Sequence, residues 1–126
     1  MKYLFDVNIL VAWHHTQHHF HTRVHAWRGR NASAHLSSCA ISDLGFIRVS
    51  MSGYNYTLQM AEVALEAVKR DVTGYVNDLP PPKLARWVLS HKHTTDAYLC
   101  QLATAHGLQL ATFDNRIKDS AAFLIS

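Results

Sequence analysis

Cysteine is scarce in this chain, with Cys39 and Cys100 the only two among 126 residues. They form neither a CxxC pair nor a zinc-ribbon spacing, which excludes a cysteine-rich metal module and a disulfide scaffold. Both are flanked by small or apolar residues, the setting of buried, reduced thiols rather than of an activated nucleophile. Long apolar runs are missing too: no stretch approaches the ~18 residues of a membrane span. Asp6 and Asn8 interrupt the segment where a secretory signal would need its apolar core. A cytoplasmic protein without membrane contact is expected. No P-loop, G-x-G-x-x-G or G-x-S-x-G occurs, so phosphate-cradling loops and serine-hydrolase elbows are excluded. All three prolines are spent on Pro80-Pro81-Pro82, a stiff connector too short to divide the chain.

With 48% hydrophobic and 17% charged residues, the chain has the balance of a globular protein, and its length suits one domain spanning 1–126. A net charge of +3 allows a polyanionic partner without establishing one.

The pattern alternates strands with helices. Lys2–Asp6 predicts a short buried strand, and Asn8 opens a helical stretch through Ile9-Leu10-Val11-Ala12-Trp13. A second helix covers His18–Arg28 with Gly29 as its stop, and a strand follows at His35–Ser38. Ser42 is a natural N-cap, placing Asp43 in the first turn of a helix that Gly53 closes. Thr57–Asp71 carries a continuous apolar stripe of Leu58, Ala61, Leu65, Val68 and Val72. Tyr75-Val76 reads as a brief strand and Lys83–Leu89 as a helix with Leu84, Trp87 and Val88 facing inward. Thr94 or Thr95 caps a helix that stops at Gly107. Strands at Leu108–Phe113 and Ala122–Ile125 complete the chain. Together these predict a small open α/β sheet, mostly parallel.

Four aspartates stand beside apolar runs at element boundaries: Asp6, Asp43, Asp96 and Asp114. In an open α/β sheet, ligands bind beyond the carboxyl ends of the strands. Asp6 and Asp114 fall at strand ends, while Asp43 and Asp96 fall at the starts of helices leaving that same rim. Capping or helix-dipole roles would account for Asp43 and Asp96 alone, but poorly for Asp6 and Asp114. Carboxylates gathered in one pocket raise each other's pKa values and call for a counter-charge. A hard divalent cation with oxygen ligands supplies it, and such ions promote phosphodiester hydrolysis.

Phe5-Asp6-Val7-Asn8-Ile9-Leu10, Thr94-Thr95-Asp96-Ala97-Tyr98-Leu99 and Leu110-Ala111-Thr112-Phe113-Asp114 resemble, in order, the three hallmark segments of PIN domains, and Ile41-Ser42-Asp43-Leu44-Gly45-Phe46-Ile47-Arg48-Val49 resembles the middle segment of one subgroup. More narrowly, they are similar to the VapC-type toxin ribonucleases of bacterial toxin–antitoxin pairs. The resemblance implies a three-layer α/β/α sandwich and a Mg²⁺- or Mn²⁺-dependent endoribonuclease. Asp6, Asp96 and Asp114 would hold the metal, and Asp43 would join them as a catalytic acid where the family usually has glutamate. Asn8 would orient the cluster by hydrogen bonds. Thr112 and Asn115 would support the acids or touch phosphate, and Arg116 would hold the RNA backbone. It also implies a tRNA or rRNA substrate, a homodimer, and a cognate antitoxin through which DNA is contacted only indirectly. The alternative is a weak or inactive PIN-fold module that binds RNA or a protein partner.

His14, His15, His18, His19, His21 and His25 crowd one region. A zinc site, an exposed polar helix pair and a pH-dependent RNA-contacting patch all fit. The lack of a second arm of cysteine or carboxylate ligands favours the exposed pair. Trp13, Trp27 and Trp87 lie in helical apolar patterns, as core residues before stacking platforms. Arg23, Arg28, Arg30, Arg48 and Lys92 read mostly as scattered solvated charges, with a phosphate-binding surface as the alternative.

Overall fold

β1 (Lys2–Phe5) is the middle strand of a five-stranded, fully parallel sheet. In the computed structural model, which describes residues 1–126, β2 (His35–Cys39) and β4 (Gln109–Thr112) flank it. β3 (Gly74–Val76) and β5 (Ala122–Leu124) form the two edges. The order β3-β2-β1-β4-β5 means that the chain builds outward on one side of β1, then crosses to the other. The strand order therefore reverses between β1 and β4, the point where open α/β sheets leave a crevice.

Side chains alternate across the sheet as the two-residue strand period requires. Tyr3 and Phe5 enter one apolar cluster, with residues of α1 (Val7–His14), α2 (His21–Arg30), α3 (Ala40–Tyr54) and α4 (Leu58–Asp71). Leu4 and Leu110 enter a second, with Leu99, Cys100, Leu102 and Ala103 of α5 (Thr94–Ala105). The result is the PIN-like α/β/α layering. Fully buried side chains such as Phe5, Leu4, Ile9 and Leu10 each contribute ~2 kcal/mol of transfer free energy. Cys39 and Cys100 are both buried free thiols. No helix is long and apolar enough to cross a membrane.

Several boundaries differ from the sequence expectation. α1 begins at Val7 with Asp6 as its N-cap, so Asn8 is already inside the helix. Ser42 does not cap α3, which starts at Ala40; its hydroxyl donates instead to the Phe5 carbonyl at 2.7 Å. α2 runs through Gly29 to Arg30, and α3 ends at Tyr54, where Asn55 takes the left-handed conformation at φ 57°. His93, not Thr94 or Thr95, is the N-cap residue of α5. Gly107 does close α5, at φ +68°.

The helix expected at Lys83–Leu89 is absent; only a turn forms at Arg86-Trp87. The preceding prolines favour extended backbone and bring no N–H donors. Side chains of α5 then bind the segment: Lys83 N–H donates to Gln101 Oε1, Gln101 Nε2 donates to the Pro81 carbonyl, and the Tyr98 hydroxyl donates to the Pro80 carbonyl. Leu84 is consequently exposed rather than inward, while Trp87 and Val88 are half-buried.

Candidate metal centre

Asp6 leaves the end of β1 while its ladder to β4 still holds, through the Asp6 N–H and the Ala111 carbonyl at 3.1 Å. The side chain is buried, at 5% exposure, and both oxygens are used. Oδ1 accepts from the Val7 N–H at 2.7 Å and Oδ2 from the Thr112 hydroxyl at 2.9 Å. Burial first, then the Asp96 carboxylate, push the Asp6 carboxyl up to about 7. The two hydrogen bonds hold the rise back in part, and Asp114 adds to it.

Thr112 ends β4 and is itself buried. Its oxygen also accepts the Asp114 N–H at 3.0 Å, so a single hydroxyl fixes both acids. Asp96 comes in from the first turn of α5. Burial and then the neighbouring Asp114 raise its pKa, with His93 and Arg116 acting in the opposite sense. Asp114 is grasped by Arg116, whose Nε and Nη2 reach its two oxygens at 2.9 Å each. Those bonds hold Asp114 below the usual carboxylate range.

His93 joins this group, although sequence reasoning passed over it. The ligand atoms of His93, Asp96 and Asp114 all lie within 4.8 Å of one another. The available signal was the three-residue spacing to Asp96 across a helix start, which puts both side chains on one side.

The remaining sequence candidates are placed less centrally. Asp43 stands at the same rim, because neighbouring Ser42 is bonded to the carbonyl just before Asp6. Its Oδ2, however, is paired with Lys69 of α4 at 2.8 Å, and Oδ1 is buried without a partner. Asn8 is exposed, and the hydrogen bonds to Asp6 come from Val7 and Thr112 instead. Asn115 is exposed, its carbonyl accepting from Lys118. Arg116 is solvent-facing apart from its bonds to Asp114. A groove of about 390 Å³ passes beside the centre, lined by Val7, Ile41, Leu44, Gly45, Arg48 and Thr95.

The histidine cluster does not form a second centre. His21 Nδ1 donates to the Ala12 carbonyl and His25 Nε2 to the Trp13 carbonyl. His14 shares a hydrogen bond with Tyr56, and His15 with Ser50. None of the six belongs to a group of three ligand atoms close enough to share an ion. They pin α1 to α2, α3 and the segment behind α3.

The acidic donor set suits a hard divalent cation. Asp96 and Asp114 lie close enough to His93 to share an ion, burial and then the Asp96 charge drive the neighbouring Asp6 toward its neutral form, and a buried His93 Nδ1 lacks a hydrogen-bond partner. A cation would relieve each of these penalties. Comparison with known families agrees: the model described as PIN domain matches residues 3–122. This chain belongs to the PIN-domain family.

Within that family it is of the VapC type. It is 35% identical over 126 residues to Ribonuclease VapC44 of Mycobacterium tuberculosis (strain ATCC 25618 / H37Rv), covering 93% of this chain and 89% of the relative. Ribonuclease VapC38 of the same strain is 32% identical over 124 residues, covering 88% and 84% respectively. Ribonuclease VapC39 is 26% identical over 132 residues, covering 97% and 95%. In this PIN domain the acids thus occupy the sheet's switch point, with a histidine beside them.

Proposed function

We propose that this PIN domain is a divalent-metal-dependent endoribonuclease and the toxin of a toxin–antitoxin pair, working as one domain across residues 1–126. The observation that carries the proposal is the approach of Asp96 and Asp114 to within 4.8 Å of each other, beside the buried Asp6 at the crevice between β1 and β4. The names of the VapC relatives supply the substrate class.

Asp6, Asp96 and Asp114 would hold Mg²⁺ or Mn²⁺. Bound there, the ion supplies Lewis acidity, polarising a phosphodiester and making water a better nucleophile at neutral pH. The chain's own residues do the positioning. Thr112 orients Asp6 and fixes the backbone of Asp114. Arg116 is largely exposed and holds Asp114 through Nε and Nη2, which leaves Nη1 able to take a phosphate without releasing the acid. Arg48 lines the groove that passes Val7 and Thr95, the immediate neighbours of Asp6 and Asp96, and offers a second phosphate contact. Asn8 and Asn115 are exposed beside the centre, open to RNA. Asp43 acts at one remove, through solvent, since Lys69 occupies its Oδ2.

The substrate is a structured RNA, tRNA or rRNA, in the cytoplasm. A homodimer and an antitoxin complete the assembly, with DNA contacted only through the antitoxin. Met60 and Val63, exposed along an apolar groove of α4, support a protein partner.

Incubating total RNA with the purified protein and with Asp96→Asn, in Mn²⁺, in Mg²⁺ and in EDTA, tests the proposal. Fragments are expected from the parent only, and only with metal. Equal cleavage by Asp96→Asn, or cleavage in EDTA, would overturn the assignment. A folded parent that leaves every structured RNA intact would make the chain a binding module.

A further inference from the structure

We infer that His93 is a direct ligand of the metal, through Nδ1, and that this nitrogen biases the centre toward Mn²⁺ over Mg²⁺. The inference rests on the proposal above that a divalent ion sits among Asp6, Asp96 and Asp114.

The imidazole makes no hydrogen bond at that atom. His93 is the N-cap residue of α5, yet its side chain makes no capping hydrogen bond. Its Nδ1 lies 3.7 Å from Asp96 Oδ2, too far for a hydrogen bond. The same Nδ1 is buried and unpartnered. A buried polar atom left unsatisfied is unfavourable by ~1–3 kcal/mol, and an ion is one of the few things that would satisfy it. A ring nitrogen of His93 also shares the 4.8 Å span that holds the Asp96 and Asp114 oxygens, and Nδ1 is the one placed beside Asp96 Oδ2.

The ring is held in place. The His93 N–H donates to the Ser90 carbonyl at 3.1 Å, fixing the turn that precedes α5. Trp87 packs beside the imidazole with ring centroids 6.1 Å apart, and its indole N–H is anchored to Asp119 at 2.9 Å. Such support from outside the ligand set is what keeps a metal-binding histidine oriented.

Selectivity follows from donor chemistry. Mg²⁺ takes oxygen ligands and gives up its waters reluctantly, whereas imidazole suits the later divalent ions. With Asp43 held on Lys69, the atoms close enough to share one ion come from two carboxylates, Asp96 and Asp114, and one imidazole, with the buried Asp6 carboxylate beside them.

Metal binding distinguishes the two levels of the claim without RNA present. Mn²⁺ and Mg²⁺ are titrated calorimetrically into the metal-free full chain, His93→Gln, Asp96→Asn and a His91→Gln control. Pulsed electron paramagnetic resonance of the Mn²⁺ form reads any nitrogen coupled to the ion. The parent and His91→Gln are expected to show a coupled nitrogen, and His93→Gln to lose it. Mn²⁺ affinity should fall about tenfold to a hundredfold in His93→Gln, with a clearly smaller loss for Mg²⁺. Mn²⁺ binding that is lost in Asp96→Asn but shows no coupled nitrogen in the parent would overturn the role of His93 and leave the acidic centre standing. A parent that binds no Mn²⁺ would overturn both. If His93→Gln fails to fold, the parent spectrum recorded with nitrogen-15-labelled histidine decides the matter alone.

Discussion

Thr112 donates its hydroxyl proton to Asp6 Oδ2 across 2.9 Å, joining two strands' ends that are 106 residues apart in the chain. Because the same oxygen accepts the Asp114 N–H, the relative placement of two acids depends on one side chain. Thr112→Val keeps the volume and removes both bonds. Asp6 would keep only its bond from Val7, and the Asp114 N–H would lose its acceptor. A stability loss of ~1–3 kcal/mol in urea unfolding is expected, with cleavage reduced about tenfold to a hundredfold. Thr112→Ser should recover most of both. Equal rates for the valine and serine variants would show that the hydroxyl does not position the acids.

His15 gives the fold a sensitivity to acid. It is buried, stacked on Tyr54 at 3.7 Å between ring centroids, and hydrogen-bonded to Ser50 at 2.8 Å. Burial, then the charges of His14 and His18, lower its pKa to about 4. The unfolded value is ~6.5, so between these two pH values the unfolded chain binds the extra proton. The contribution is therefore complete above pH ~6.5 and is lost as the pH falls toward 4, with no further change from this group below that. His14 and His18, also lowered by burial, act in the same direction. Asp6 and Asp96, with raised pKa values, act in the opposite sense, so the effect is read by difference: between pH 8 and pH 5, His15→Gln should lose less stability in chemical denaturation than the parent does. An equal loss in the two would mean that His15 is not a source of the acid sensitivity.

The acids at the switch point were legible because each ends a strand or starts a helix, and β-strand and helix periods reveal those boundaries without tertiary knowledge. Thr112 was legible for the same reason. His93 was not, since its place depends on a tight turn before α5 that has no periodic signal. The pairing of Asp43 was hidden as well, because Lys69 lies a helix away, on α4. Lys83–Leu89 satisfied a helical period, but the Lys83 N–H and the Pro81 carbonyl before it are bound by Gln101 of α5, contacts set by tertiary structure alone. For the histidine cluster, the spacing could not name the carbonyl and hydroxyl partners that His14, His15, His21 and His25 take up.

Lys69 decides how Asp43 behaves. The pair is partly buried, at 27% and 15% side-chain exposure, and the lysine also lies 4.2 Å from the centre of the Tyr75 ring. Lys69→Met would leave Asp43 with neither oxygen satisfied, because Oδ1 already lacks a partner. That unpaired charge should cost more stability than Asp43→Asn does. A double-mutant cycle on urea midpoints is expected to give a coupling of roughly 1 kcal/mol. Asp43→Asn should slow cleavage far less than Asp96→Asn. Equal loss in the two would place Asp43 on the metal instead.

Gly45 sets how closely α3 approaches the start of α1. A Cβ at this position would meet Val7 Cγ1 at 2.9 Å and overlap Cγ2 still more. Val7 is β-branched and cannot swing both methyls aside. It is also the residue whose N–H caps onto Asp6, so a shift of Val7 is a shift of the metal centre. In an exposed helix, Gly→Ala would stabilise by about 1 kcal/mol. Here the overlap reverses the sign, and Gly45→Ala should destabilise by ~1–3 kcal/mol and slow cleavage along with it. Val7→Ala combined with Gly45→Ala removes the clash and should restore much of both properties. If Gly45→Ala were neutral or stabilising on thermal unfolding, α3 and α1 would not be held at this separation, and the rim would be looser than the packing at Gly45 implies.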